Sequence, residues 1–298
     1  MEILQWLVRG GGPSLGTMTR PEGRRVSRRD VVGERYWTSS VSRVDESTVR
    51  IRGYDLEELI GGVSFSAATY LLIRGSLPTP EQTRMLDAIL TAVLDYALEK
   101  PGTVAARYVM SANPNVAAGL AAAVLAVGKN TLAPEDTARF AIESFDRLQV
   151  SDRSAAEVAE EIVSEYRSSR RRIPGLGHPV FKYVDPRAQK IKEIAETLGF
   201  WGPRAAFYET LHAEFGRQTG RDWIPVNDVG MMALVLVEMG FTPDETTGVA
   251  ILSTLPGVIA HLTEEQESGR PIRVIPADSV EYDPAVRDFQ ADKEAAGW

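Results

Sequence analysis

From Tyr54 to the C-terminus, almost every apolar run in this 298-residue chain repeats with the period of a helix, and runs that alternate like strands are nearly absent. Such a chain buries its apolar stripes helix against helix, so the fold class is all-α. Leu86, Ile89, Leu90, Val93, Leu94 and Ala97 form one such stripe on an expected core helix. Asn115 to Val127 is almost entirely Ala, Val, Leu and Gly with no polar face, which predicts a central, buried helix stopped by Gly128. Asp152 to Tyr166 reads as amphipathic, and Asp185 followed by Pro186 reads as the cap and first turn of a helix carrying Ile191 and Ile194. Asn227 is placed to cap a helix running to Met239 and ended by Gly240. Pro243, Asp244 and Glu245 open the last long helix, which Pro256 is expected to kink. Thr48 to Arg52, beside Gly53, is the one expected strand.

The opening of the chain breaks this pattern. Gly10, Gly11, Gly12 and Pro13 interrupt any period and five arginines follow between Arg20 and Arg29, so residues 1–35 read as an irregular arm. Glu2, Glu22 and Asp30 argue against a transit peptide, and the location expected is cytoplasmic. Apolar runs such as Val116 to Val127 fall short of the roughly 20 residues of a membrane helix, so no membrane is expected as a partner. A net charge of -8 provides no general field for nucleic acid, although local basic patches can still hold a small anion.

Cysteine is absent, which removes disulfides, thiolate metal ligands and cysteine nucleophiles together. His178, His212 and His261 lie 34 and 49 positions apart, with no metal-ligand spacing, and no metal is expected. His212 lies between apolar neighbours and reads as packed. His261 has Glu264 and Glu265 close by to satisfy it. His178 differs by its company: Arg170, Arg171 and Arg172 precede a turn, Gly175, Leu176 and Gly177, that ends on the histidine. The glycines let backbone approach a ligand closely, and the arginines suit phosphates through charge-assisted hydrogen bonds. The same residues also read as a plain helix end, with cations favoured at the C-terminus and glycines stopping the helix.

The stretch Pro174-Gly175-Leu176-Gly177-His178-Pro179 through Asp185-Pro186-Arg187-Ala188 closely resembles the GxGH and DPRA signature of the citrate synthase and citryl-CoA lyase superfamily. Arg52 to Ile60, Ser64 to Leu72 and Gly75 to Thr79 resemble the opening of that family's large domain, and the similarity runs from about Tyr36 to Asp283. The resemblance implies a large helical domain (36–130 and 233–298), a smaller inserted helical domain (131–232), a cleft between them and an intertwined dimer. It implies coenzyme A or an acyl-CoA as a substrate, with a small keto or hydroxy acid as the other. His178 matches the histidine that contacts the keto or hydroxyl oxygen, Arg187 the arginine that binds a substrate carboxylate, and Arg270 the arginine contributed across the dimer. Asn227 falls with the substrate-binding residues. Arg170, Arg171, Arg172, Gly175, Leu176, Gly177 and Lys182 fall with the coenzyme A contacts.

Three departures accompany these matches. Gly128-Lys129-Asn130-Thr131 stands where relatives carry a His-Gly-Gly-Ala motif, Val229 stands at the position of the aspartate base, and Thr254 replaces a carboxylate-binding arginine. Asp228, one position earlier, becomes the candidate base, although one helical step of about 100° redirects a side chain and an acid at a helix start also has a capping role. Two readings follow. The chain makes or cleaves a C–C bond between an acyl-CoA and a keto acid through a thioester enolate, acting on a substrate with fewer carboxylates than citrate. Alternatively, it is a catalytically silent acyl-CoA-binding subunit that pairs with a paralogue.

Overall fold

A computed structural model describes residues 37–298. The arm expected over residues 1–35 lies outside the described residues. The described chain begins with a small antiparallel sheet, β1 (Ser42–Val44), β2 (Val49–Ile51) and β3 (Tyr54–Asp55), in that order. The expected strand is its middle member. Its two neighbours are only two or three residues long, too short for any alternation to show in sequence.

The elements after it are helices: α1 (Leu56–Leu59), α2 (Phe65–Arg74), α3 (Pro80–Ala92), α4 (Pro101–Ala112), α5 (Val116–Leu125), α6 (Pro134–Gln149), α7 (Ala155–Ser168), α8 (Pro186–Leu198), α9 (Pro203–Thr219), α10 (Asp228–Glu238), α11 (Pro243–Ser268) and α12 (Phe289–Ala295). Local chemistry sets many of these boundaries. Thr79 with Gln82, Ser154 with Glu157 and Thr242 with Glu245 form reciprocal capping boxes at the starts of α3, α7 and α11. Asp185 and Asn227 cap α8 and α10 through their side chains, as their sequence positions predict.

The central helix is α10, not the expected Asn115–Val127 segment. Met232, Leu234 and Leu236 of α10 are fully buried, and the helix packs on α6, α8, α9 and α11. One apolar cluster runs from Tyr70 and Met85 through Phe140, Ile162, Ile191 and Tyr208 to Val249, so it joins helices on both sides of residues 130 and 233. By contrast α5 buries only Gly119 and Ala123, while Leu125 is 84% exposed. Its small face seats against Leu262 of α11, and Gly102 of α4 meets the Ala123 backbone. The larger residues Val116, Val124 and above all Leu125 are exposed, because no described element fully covers them.

Three further expectations change. The stripe from Leu86 does not continue to Ala97: α3 ends at Ala92, and the chain turns through Asp95 and Tyr96 toward the cleft described below. Gly128 does not stop α5, which ends at Leu125; it exchanges two backbone hydrogen bonds with Thr131 in a tight turn. The apolar 26-residue α11 is long enough to cross a membrane, contrary to the reading of the apolar runs, and it continues through Pro256. Its contacts with α3, α4, α5, α6 and α10 make it a core helix.

The first turn of α10 is pressed against the glycine turn at residue 175. A Cβ on Gly230 would lie 2.7 Å from the Gly175 Cα and 2.8 Å from its carbonyl oxygen, both backbone atoms that cannot swing aside. Gly230→Ala is therefore expected to destabilise the protein by about 1–3 kcal/mol, the cost of overpacking a close-packed site. Urea unfolding with an unchanged slope and a lowered midpoint checks this.

Candidate active site

The segment from Pro174 to Tyr183 runs beside Trp223 to Asn227 and is hydrogen-bonded to it. Gly177 N–H donates to the Pro225 carbonyl at 2.8 Å, Asn227 N–H to the Gly175 carbonyl at 2.9 Å, and Tyr183 N–H to the Trp223 carbonyl at 2.7 Å. Gly175 and Gly177 adopt φ of +85° and +96°, which favour glycine, and a Cβ on Gly175 would meet the Tyr208 hydroxyl at 2.7 Å. The Asn227 amide is engaged at both ends: Oδ1 accepts from Gly230 N–H and Nδ2 donates to the Gly177 carbonyl, each at 2.8 Å. Asn227 thus ties the turn to the start of α10.

This tie brings His178, Arg187 and Asp228 together. The His178 ring stacks on Phe181, with centroids 4.5 Å apart, and meets Tyr96 edge-on at 5.6 Å. Its Nδ1 accepts from the backbone N–H groups of Val180 and Phe181, at 3.1 and 3.0 Å. Both ring nitrogens face N–H donors, Nδ1 the two backbone amides and Nε2 the Arg187 Nη2 at 3.1 Å, so the neutral ring's proton is not placed by these hydrogen bonds. Burial holds the imidazole below its usual pKa, and the nearby Arg187 cation adds to this against the opposing field of Asp185. The His178 imidazole is consequently neutral near pH 7.

Arg187 occupies the centre. Its Nη1 pairs with Asp228 at 2.7 Å, its Nη2 with Asp185 at 2.9 Å, and Nη2 lies 3.1 Å from His178 Nε2. The guanidinium lies over Tyr96, 4.9 Å from the ring centroid. His178, Asp185 and Asp228 each place one ligand atom within 4.8 Å of the others, and the cation seated among them is this guanidinium. Asp228 is buried, and burial pushes its carboxyl above the ordinary aspartate range; Arg187 pulls down and Asp185 pushes up. The ion pair is thus outweighed by desolvation and the second carboxylate.

Asp228 faces the cleft despite its one-residue offset, because it is the first residue of α10, and Val229 lines the cleft beside it. The cleft, a cavity of about 340 Å³, is walled by Asp95, Tyr96, Lys100, His178, Arg187 and Asp228, among others. An adjoining cavity of about 300 Å³ shares His178, Asp228 and the turn Asn130–Leu132 and reaches Gly175 and Gly177. Beyond Gly177 lies a basic groove of about 580 Å³ lined by Arg167, Arg170, Arg171, Arg172 and Arg221. The expected arginines and the expected glycine turn therefore share one surface with the cleft.

Other expected site residues are placed elsewhere. Lys182 is exposed, with its ammonium 4.7 Å over the Trp223 ring, outside the groove lining. Arg270 is exposed and lines neither the cleft, the adjoining cavity nor the basic groove. The neighbouring tail is fixed on α11 by Arg273, which pairs with the buried Glu265. Thr254 is buried in α11, outside the cavity linings. His212 Nε2 bonds to the Ile224 carbonyl at 2.7 Å; His261 is satisfied by Asp95 at 3.1 Å more than by the expected Glu264, 3.8 Å away, or Glu265, which pairs with Arg107 and Arg273. Tyr96, Phe181, Lys100 and Arg221 were not singled out by sequence reasoning. Only Arg221 carries a legible signal, a charge close to the glycine turn's partner segment.

The sequence profile described as "Citrate synthase, C-terminal domain" matches residues 31–92 and 78–275. The chain belongs to the citrate synthase family. It is 30% identical over 212 residues to a citrate synthase of Thermoplasma acidophilum, covering 68% of this chain and 53% of that protein. It is 26% identical over 204 residues to citrate synthase 2 of Bacillus subtilis, covering 67% and 52%. The chain thus spans about half the length of these curated relatives. Among solved structures, the citryl-CoA lyase of Hydrogenobacter thermophilus superposes with a TM-score of 0.78 at 36% identity, covering 87% of this chain and all of that one. The ATP citrate lyase of Methanosaeta concilii, solved with (3S)-citryl-CoA, has a TM-score of 0.73 at 17% identity, a likeness of fold, over 97% of this chain and 48% of that one.

Removing the central cation leaves two buried carboxylates facing each other. Arg187→Leu is expected to cost about 3–5 kcal/mol at neutral pH. Without the guanidinium, Asp228 holds its proton to still higher pH in the folded state than in the unfolded chain. The variant's deficit therefore shrinks as pH falls through that raised value toward the unfolded carboxylate range, which denaturation at a series of pH values measures.

Proposed function

We propose that this protein makes or cleaves a C–C bond between an acyl-CoA and a small keto or hydroxy acid through a thioester enolate. One observation carries the reading: a buried carboxylate, Asp228, and a fixed neutral imidazole, His178, converge on one cleft with an arginine between them. Asp228 takes the proton from the carbon α to the thioester, and its desolvation makes it a stronger base than an exposed aspartate. Once the Arg187 guanidinium, 3.1 Å from His178 Nε2, is drawn onto the substrate carboxylate, His178 Nε2–H donates to the keto or hydroxyl oxygen, where charge develops as the bond forms or breaks. Arg187 holds a substrate carboxylate. A carboxylate that takes Arg187 N–H groups from Asp228 removes the cation that lowers the Asp228 pKa, so acid binding sharpens the base.

The basic groove suits the phosphates of coenzyme A, and the Gly175–Gly177 turn suits a backbone approach to its thioester arm. The H. thermophilus citryl-CoA lyase and the M. concilii enzyme solved with (3S)-citryl-CoA support coenzyme A esters as the substrate class. The exposed apolar face of α5 and the outward Arg270 support a dimer in which each chain completes its partner's site. A second reading, a silent acyl-CoA-binding subunit that pairs with a paralogue, draws on the same Arg187–Asp228 pair and on the buried Thr254, which leaves a carboxylate-binding arginine missing.

Solvent deuterium exchange at the α-carbon of acetyl-CoA and propionyl-CoA, with and without simple keto acids, separates the two readings. The pure protein is expected to catalyse exchange, and Asp228→Asn to reduce it about 10²–10⁴-fold. The base works only deprotonated, so the rate should fall as pH drops through a value above the ordinary aspartate range. Binding of coenzyme A without any exchange would favour the silent subunit. Leu125→Glu is expected to convert a dimer to monomers, read by light scattering on a sizing column; a wild-type protein already monomeric would remove the dimer from the proposal.

A further inference from the structure

Six non-glycine residues among those described adopt positive φ, and Leu132, at +56°, is the one that is buried. Glycine or asparagine takes that backbone at lower cost. The turn just before it is already closed by the two hydrogen bonds between Gly128 and Thr131. The backbone path gains nothing from a leucine here, so the gain lies with its side chain.

That side chain belongs to the same apolar cluster as Val93, and Val229 packs against this cluster. All three line the cleft, whose wall therefore has an apolar part beside the polar part made by Asp95, His178, Arg187 and Asp228. Leu132, Asp228 and Val229 line the adjoining cavity as well, so they stand at the passage between the glycine turn and the cleft. A thioester whose α-carbon meets Asp228 has any substituent of that carbon at this passage. In an acetyl group the α-carbon is the terminal methyl, and nothing extends to the wall. In a propionyl or longer chain the added alkyl group leaves water for Leu132 and Val229.

We propose that Leu132 and Val229 select the acyl group. They form an apolar seat for an alkyl substituent on the α-carbon, so the preferred thioester is propionyl-CoA or a longer straight-chain acyl-CoA rather than acetyl-CoA. This rests on the reaction proposed above, which puts the α-carbon at Asp228, and it narrows the acyl partner of that reaction.

The test is calorimetric binding of coenzyme A, acetyl-CoA, propionyl-CoA and butyryl-CoA to the full chain and to Val229→Thr and Leu132→Ala, with thermal unfolding of each protein. Every affinity is taken relative to coenzyme A, which has no acyl group to reach the seat. The wild type is expected to bind propionyl-CoA about 4- to 10-fold more tightly than acetyl-CoA, the worth of one buried methylene. Val229→Thr keeps the side-chain shape but puts a hydroxyl on the seat, and should bring that ratio down to about one. Leu132→Ala widens the seat and should favour butyryl-CoA over propionyl-CoA by about 4-fold. If Leu132→Ala does not fold, Val229→Thr decides alone. Equal wild-type affinity for acetyl-CoA and propionyl-CoA, or a preference that either folded variant leaves unchanged, would overturn the proposal. Because binding is read without turnover, the two proposals fail separately. Acyl selection without deuterium exchange keeps the seat and removes the reaction, whereas exchange with no preference among the thioesters does the reverse.

Discussion

The site depends on one guanidinium neutralising two buried carboxylates. Asp185 caps α8 and Asp228 begins α10, and the two helix starts approach closely enough that the Asp228 N–H donates to Asp185 Oδ2 at 3.2 Å. Two carboxylates so near would repel in the low-dielectric interior, and Arg187, two residues after Asp185, satisfies both. The same guanidinium touches His178 and lies over Tyr96, so one cation aligns the proposed base, the proposed oxygen donor and an aromatic wall. A cation placed this way also couples the groups. Any anion that draws it away changes the proton affinity of the carboxylate left behind.

Glycine makes that arrangement geometrically possible. The Gly175 backbone and Gly230 are in contact where any other residue would force them apart, and the Asn227 amide fastens the two segments from the side. The segment that departs most from the family motif, Gly128 to Thr131, remains at the cleft as a reciprocally bonded turn, so a wall is kept where a histidine is not. The chain covers all of the H. thermophilus citryl-CoA lyase and about half of the citrate synthases it matches.

The helices were legible because their signals are local. Capping residues, first-turn prolines and the 3.6 period act within a few residues, so Asp185, Asn227 and Thr242 marked their helix starts without tertiary help. Where apolar content alone was the guide, the reading of burial failed. An apolar segment is bound to be buried by something, but nothing in α5 says whether its cover is its own chain, whereas α10 is enclosed by four helices of the same chain. The stripe beyond Val93 misled in a similar way, since Leu94 and Ala97 keep a helical spacing that the turn toward the cleft does not use.

The sequence by itself determined the all-α class, most helix boundaries, the glycine turn and the family, because each rests on short-range chemistry or on a contiguous motif. Only the tertiary structure decided that Asp228 faces the cleft and that its partner is Arg187. Those facts join residues more than forty positions apart on different helices. A one-residue offset at a helix start changes direction by about 100°, and only the packing of α10 against the glycine turn shows which way the carboxylate points.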